Sequence, residues 1–372
     1  MKMKRCKKCV LPARVVGLSA DGVCALCRSD DGSLHYRGEQ ALLELLEASR
    51  RQAARRGAKY DCIVPVSGGK DSTYALHQMV TRHHMRTLAF YYESPFAEET
   101  SKQNLDNAVR ILGVELVRNT DSREQQRYLK RNLRCIGLEP PRRRGLVAGL
   151  LCTACNEGYK NRAYALAAEH KVNLIMQGGC PVEPDLMAFR ELGKRPSRRS
   201  EYLRVAAREL WELITDRFFH DRAYHKNISL YTPMLLSLAG RVIPAAQSRF
   251  PPDITRVSYH DFIPWDEQRI VSTLSEELQW RRPPGRSTTT RFDCKVHSLL
   301  EGLRKKYLGV SEVEVMYSMM IRKGMLTRQE ALRRVEQELA EEEGLLARDL
   351  EEIAAVLGMQ DRLDRLRTIW GL

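Results

Sequence analysis

No run of about 18 consecutive apolar residues occurs in the sequence, so no membrane-spanning helix is expected. The opening MKMKRCKKCVLP reaches Cys6 before any apolar stretch long enough for a secretory leader, which points to the cytoplasm. Disorder is equally poorly matched, because 43% of residues are hydrophobic and 29% charged. Acidic residues are the scarcer sign: 47 Asp and Glu face 61 Lys and Arg, a net charge of +14 that suits a nucleotide, RNA or an acidic lipid surface. Charge alone does not choose among them. No internal repeat and no RRM or KH signature is present. The 372 residues are enough for about two or three domains.

A reducing compartment disfavours disulfides, so the ten cysteines are read as metal ligands, redox centres or catalytic thiols. Cys6-x-x-Cys9 and Cys24-x-x-Cys27 form two pairs with 14 residues between them, each in a polar or glycine-containing turn. Two such knuckles place four thiolates around one tetrahedral Zn²⁺, which replaces the core that about 30 residues cannot build. With four protein ligands the zinc has no open position and is structural. Cys152-Thr-Ala-Cys155 is a third pair, ahead of a segment in which Tyr159, Ala163, Leu166 and Ala167 recur at helical spacing. A helix start there would favour thiolate, and use as metal, cluster or redox ligands stands beside a reading as two buried thiols. Cys180 and Cys294 are single, and each becomes a ligand only where the fold brings it to Cys152. Cys62 and Cys135 lie in apolar segments and read as packing residues.

The Walker A spacing and the dinucleotide G-x-G-x-x-G are both missing, yet one phosphate-binding pattern is present. Cys62 to Val66 reads as a buried strand, Ser67-Gly68-Gly69-Lys70-Asp71-Ser72 as a turn, and Thr73 to Val80 as the opening of a helix. Glycines let the backbone approach an anion, the helix N-terminus offers unpaired N–H groups, and Ser67, Ser72 and Lys70 add donors and a charge. Asp71 beside a polyphosphate would be repelled unless it holds Mg²⁺; the competing reading is a first-turn acid favoured by the helix dipole.

The hexapeptide after its strand resembles the SGGxDS signature of the PP-loop ATP pyrophosphatase superfamily. That resemblance implies a doubly wound parallel α/β sheet and an enzyme that cleaves ATP between the α- and β-phosphates, adenylating a carbonyl oxygen that nitrogen or sulfur displaces. CKKCVLP, DGVCALC, the CTAC pair, VNLIMQGG, the stretch IPWDEQRIVSTLSEELQWRRPPGRSTTTRFDC and IRKGMLTRQEAL are similar to a branch that includes the N-acetyl sugar amidotransferases, nearly end to end. In the resembled fold Tyr91, at the end of the second strand, borders the adenosine, and Gly178 and Gly179 end a further strand at the nucleotide site.

The expected organisation is a zinc-knuckle unit over 1–32, a PP-loop α/β domain over 33–265 and a helical C-terminal region over 266–372. An amphipathic helix carrying Ala41, Leu42, Leu45 and Leu46 leads into strand 61–66, then helix 72–83, strand 87–92, helix 100–112 and strand 114–118. The basic segments 139–144 and 193–204 either touch RNA or polyphosphate or form a solvated face. From Thr327 a capping box opens a long charged helix, with Glu341 to Glu343 expected in solvent and Ile353, Val356 and Leu357 packed. Trp211, Trp265 and Trp280 read as packing residues, His83-His84 as an exposed helix end, and Asp293 and His297 either tune Cys294 or face solvent.

Two outcomes follow from the resemblance. In the first, Cys152, Cys155 and Cys294 are similar to the three-cysteine set of tRNA 2-thiolation enzymes, which hold a [4Fe–4S] cluster or a persulfide. The acceptor is then tRNA or a small molecule, and a sulfur carrier supplies the sulfur. In the second, ammonia from a separate glutaminase subunit attacks an adenylated acetamido oxygen on a nucleotide sugar, because no glutaminase domain is evident in the chain. A minor reading keeps the nucleotide site as a sensor and makes the zinc unit an RNA- or protein-binding module. A homodimer is compatible with all three.

Overall fold

The structure, a computed structural model, describes residues 4–138, 151–184, 192, 199–213, 253–287 and 292–372. Short aliphatic runs form five parallel strands: β1 Cys62–Pro65, β2 Thr87–Tyr92, β3 Glu115–Asn119, β4 Leu174–Gln177 and β5 Thr255–Ser258. Their order is β3-β2-β1-β4-β5. All four residues of β1 are buried, as a central parallel strand covered on both faces requires. Cys62 pairs with Thr87 and Pro65 with Phe90 on one side, while Ile63 pairs with Ile175 on the other. The chain winds outward from β1 through β2 to β3 and returns on the far side of β1 as β4. The crevice beyond the carboxyl ends of β1 and β4 is therefore the topological switch point, where open α/β sheets bind ligands.

In chain order the helices are α1 Ala13–Val16, α2 Ala25–Ser29, α3 Glu39–Arg55, α4 Lys70–His77, α5 Glu99–Leu112, α6 Arg123–Leu138, α7 Thr153–Glu169 and α8 Arg199–Leu213. Beyond β5 come α9 Glu267–Leu278, α10 Val296–Leu308, α11 Glu312–Arg322, α12 Arg328–Val356 and α13 Leu363–Trp370. The largest core joins Leu42 and Leu46 of α3, Val64 of β1, Met176 of β4, Leu274 of α9 and Tyr317 of α11. A second core packs Leu129 and Leu133 of α6 against Leu299 and Leu303 of α10, Leu350 of α12 and Trp370 of α13. The C-terminal helices thus share cores with elements that flank the sheet.

Several local expectations are corrected. The helix after β1 begins at Lys70, so Lys70, Asp71 and Ser72 form its first turn instead of the preceding turn. It continues as a π-turn over Gln78–Arg82, which turns His83 inward; His83 is buried, and only His84 is exposed. Trp211 on α8 is 64% exposed and joins no core among the described residues. Glu342 is buried instead of solvated, whereas Val356 is exposed; Ile353 and Leu357 are packed as expected. His297 is buried against α10's neighbours, not solvent-facing. Segment 139–144 and the start of segment 193–204 lie outside the described residues, as does the side chain of Cys135.

Candidate active site

The phosphate-loop sequence sits at the switch point. Gly68 has φ +82°, and a Cβ there would overlap the carbonyl oxygen of Ser101, so only glycine lets the loop lie against the start of α5. Gly69 is the N-cap of α4 without a side-chain cap, leaving the first-turn N–H groups for an anion. The loop is braced internally: Ser67 N–H donates to Ser72 Oγ at 3.1 Å, Ser67 Oγ accepts from Gly69 N–H at 3.3 Å, and Ser72 Oγ donates to Gly69 O at 3.2 Å. Gly178, just beyond β4, packs on the backbone of this turn; a Cβ there would stand 2.5 Å from the Asp71 carbonyl oxygen. Gly179 has φ +65° and abuts Ser258 at the end of β5. Gly178 thus lies against the backbone of Asp71 and Ser72, and Gly179 against Ser258.

Lys70 is buried, and its Nζ donates to Asp71 Oδ2 at 3.0 Å. Burial works against its charge, but Asp71, Cys180 and Glu267 together outweigh it and raise its pKa. Cys180 is buried in the same corner; burial first, then Asp71, pushes its thiol well up. Sequence reasoning missed two residues. Trp265 Nε1–H donates to Asp71 Oδ1 at 2.7 Å, and Trp280 Nε1–H donates to Gly68 O at 3.0 Å. Both indoles also pack in the core, so the packing reading was right in part. No spacing signal could have joined Trp265 to Asp71, 194 residues apart.

Cys152 is the N-cap of α7 and Cys155 lies in its first turn, as expected for a helix start. Cys294 forms an isolated antiparallel bridge with Ala97, just after β2, and Glu98 N–H donates to Asp293 O at 3.1 Å. This pairing carries Cys294 to the other two thiols: Cys155 feels Cys152 and Asp293, and Cys294 feels Cys152, Cys155 and Asp293. Burial first, then these neighbours, pushes Cys155 up to about 12 and Cys294 well up. Burial at Cys155 thus opposes the thiolate that the helix dipole favours. The three sulfurs do not close to within the 4.8 Å span of a single-ion site, and thiolates on different irons of a cubane stand farther apart than those on one ion. Asp293 links the two ends of the site, because its Oδ2 lies 3.9 Å from where a Gly69 Cβ would stand. Tyr91 is buried in the core beneath Arg118, which lies 5.6 Å over its ring, and its hydroxyl has no hydrogen-bond partner among the described residues.

At the N-terminus Cys6, Cys9, Cys24 and Cys27 bring their sulfurs within 4.8 Å of one another. Four thiolates about 2.3 Å from one Zn²⁺ would stand about 3.8 Å apart, and Cys9 Sγ lies 3.9 Å from Cys24 Sγ. The donor set and spacing fit a tetrahedral metal. The Cys27 thiol beside it holds Cys9 down to about 5, while Cys9 and burial push Cys27 up. This unit is docked on the C-terminal helices: Val10 N–H donates to Ser318 Oγ at 3.3 Å, and Arg328 donates to Cys6 O at 3.0 Å and Cys9 O at 3.2 Å. A second group of converging donors, His297, Glu301 and Glu312, already has Arg304 bonded to both carboxylates and reads as a buried ion triad.

Residues 286–364, which take in Cys294 and helices α10 to α12, match the family of the C-terminal domain of LPS biosynthesis WbpG-like proteins. No curated protein matches the chain in sequence. Among solved structures, the U34-tRNA thiolase NcsA from Methanococcus maripaludis with its [4Fe–4S] cluster is similar at a TM-score of 0.34 and 12% identity. That alignment covers 90% of this chain and 89% of the thiolase, a likeness too loose to transfer chemistry.

Proposed function

We propose that the protein is an ATP-dependent transferase that adenylates a carbonyl oxygen and replaces it with sulfur, releasing AMP and pyrophosphate. The observation that supports this reading is the Ser67–Ser72 loop at the switch point, with Asp293 reaching toward Gly69 and the neighbouring Cys294 lying near Cys152 and Cys155. The acceptor oxygen attacks the α-phosphorus, the bond to the β-phosphate breaks, and pyrophosphate leaves with the electron pair. Lys70 and the amides at the start of α4 stabilise the charge that develops on the departing pyrophosphate. Asp71 holds Mg²⁺, which would neutralise phosphate charge. Sulfur presented at the three thiols then attacks the activated carbon, and AMP leaves with the former carbonyl oxygen. A [4Fe–4S] cluster held by Cys152, Cys155 and Cys294 would supply an open iron for sulfide. Cys6, Cys9, Cys24 and Cys27 hold structural Zn²⁺. The basic charge of the chain suits tRNA as acceptor.

A second reading, the N-acetyl sugar amidotransferase, is favoured by the family match over 286–364. Ammonia from a separate glutaminase subunit then takes the place of sulfur on a nucleotide sugar, and the adenylation half is unchanged. Anaerobic purification with assay of iron, labile sulfide and zinc separates the two. About four irons per chain beside one zinc supports sulfur transfer, whereas about one zinc and no iron supports amidation. Absence of pyrophosphate release with ATP under every acceptor tried would leave only the sensor reading.

A further inference from the structure

Asp71 is gripped from two sides. The indole N–H of Trp265 bonds Oδ1 at 2.7 Å, and Lys70 Nζ bonds Oδ2 at 3.0 Å while lying 5.5 Å over the Trp265 ring. The two partners differ in kind. An indole N–H is donor only and sits on a rigid ring, here 7% exposed and embedded in the main core. The lysine head is a point charge on a four-carbon stem, and a triphosphate is the stronger anion for it. Of the two carboxylate oxygens, only Oδ2 has a partner that an incoming nucleotide can draw away.

We propose that Trp265 is a positioning residue for the divalent cation that accompanies the nucleotide, and that the Lys70–Asp71 ion pair is exchanged when the triphosphate enters. Lys70 turns to the phosphates, Oδ2 loses its cation and takes the metal, and Trp265 keeps Oδ1 so that the freed oxygen faces the site. Metal and nucleotide binding are thereby coupled through one hydrogen bond. Trp280 bonds the loop carbonyl of Gly68 and not the carboxylate, so its effect is on the loop as a whole. The inference rests on the nucleotide reading above and holds whether sulfur or nitrogen follows.

The test is binding of α,β-methylene-ATP to the full-length protein by calorimetry, with Mg²⁺ and with EDTA. Wild type is expected to bind about tenfold or more tightly with Mg²⁺, the scale of a hydrogen bond to a charged group. Trp265→Phe should retain binding in EDTA within about threefold and lose most of the Mg²⁺ increment, whereas Trp280→Phe should weaken both conditions alike. In an Asp71→Asn background Trp265→Phe should change nothing further. A full Mg²⁺ increment in Trp265→Phe, or an equal loss in the Asp71→Asn background, overturns the inference. Wild type failing to bind under either condition overturns the nucleotide reading itself, and so the two failures are distinguishable. Should Trp265→Phe not fold, ¹⁵N-indole labelling of wild type supplies the readout. One of the four tryptophan N–H resonances should move on adding Mg²⁺ to the nucleotide complex and none in Asp71→Asn; no such movement overturns the proposal.

Discussion

Gly178→Ala tests whether the end of β4 supports the phosphate loop. A methyl at Gly178 would stand 2.5 Å from the Asp71 carbonyl oxygen and closer still to Asp71 C and Ser72 N, all backbone atoms that no rotamer change can move. Either α4 or the 178–180 segment must retreat by on the order of 1 Å, and overpacking of this kind costs about 1–3 kcal/mol. In a chain of 372 residues that lowers the unfolding midpoint by roughly 1–4 °C. A misplacement of about 1 Å at reacting groups costs up to about 100-fold in rate, so the activity loss should exceed what the stability loss explains at a temperature where both proteins are folded. The assay is pyrophosphate release from ATP, with scanning calorimetry on the same samples. Gly344→Ala is the control: Gly344 lies inside α12 with nothing within 4 Å of an added Cβ, so that change should stabilise by about 0.5–1 kcal/mol and leave turnover alone. If Gly178→Ala releases pyrophosphate like wild type, the loop is not held by β4 and the placement of the site at the switch point is wrong.

Three further outcomes follow from the same geometry. Replacing Cys152, Cys155 and Cys294 together by serine should abolish sulfur incorporation, measured with ³⁵S, while nucleotide binding by calorimetry stays within about threefold, because the phosphates are assigned to the loop and the start of α4. Removing metal from the Cys6, Cys9, Cys24 and Cys27 group with a chelator should lower the melting midpoint by at least about 5 °C and speed proteolysis near α11, on which the unit is docked. Glu342 is buried near Glu301, Glu338 and Lys305, and burial first, then Glu301, raises it from its ordinary 4.5 to about 8. The folded state then holds more protons than the unfolded one between those values, so stability falls as pH rises through that window. Glu342→Gln should accordingly raise the melting midpoint at pH 9 and change it little at pH 4.

The loop and the four N-terminal thiols were legible because each is a local pattern with a local cause: glycines where the backbone meets Ser101 and Asp71, and paired cysteines in two turns. Alternating strands and helices from β1 to β3 were legible for the same reason, to within a residue or two at their ends. What failed was anything decided by partners distant in sequence. Glu342 looked solvated within a run of three glutamates, yet the long helix that carries it turns that one position toward α10, beside Lys305. His83 looked like an exposed helix end, but the π-turn at Gln78–Arg82 rotates it under Tyr259. Trp265 and Trp280 look like ordinary core indoles in sequence, and only the fold shows where their N–H groups point.

The C-terminal region is part of the site's construction. From Trp265 the chain bonds Asp71, runs down α9, returns to bond Gly68 through Trp280, sets Phe292 against that indole at a tilt with ring centroids 5.6 Å apart, and delivers Asp293 and Cys294 to the strand end after β2. One continuous segment therefore touches the phosphate loop twice and the thiol group once. Trp280 and Phe292, both buried, lie between the Gly68 contact and Cys294 along this segment. The α10 to α12 helices fix the far end of this segment, since Val296 and Leu299 lie in the core shared with α6 and Cys152 packs against that same core. On this geometry Cys294 comes from the matched region at 286–364, while Ser67–Ser72, Cys152 and Cys155 come from the part of the chain that carries the sheet, and neither part alone holds all of these residues.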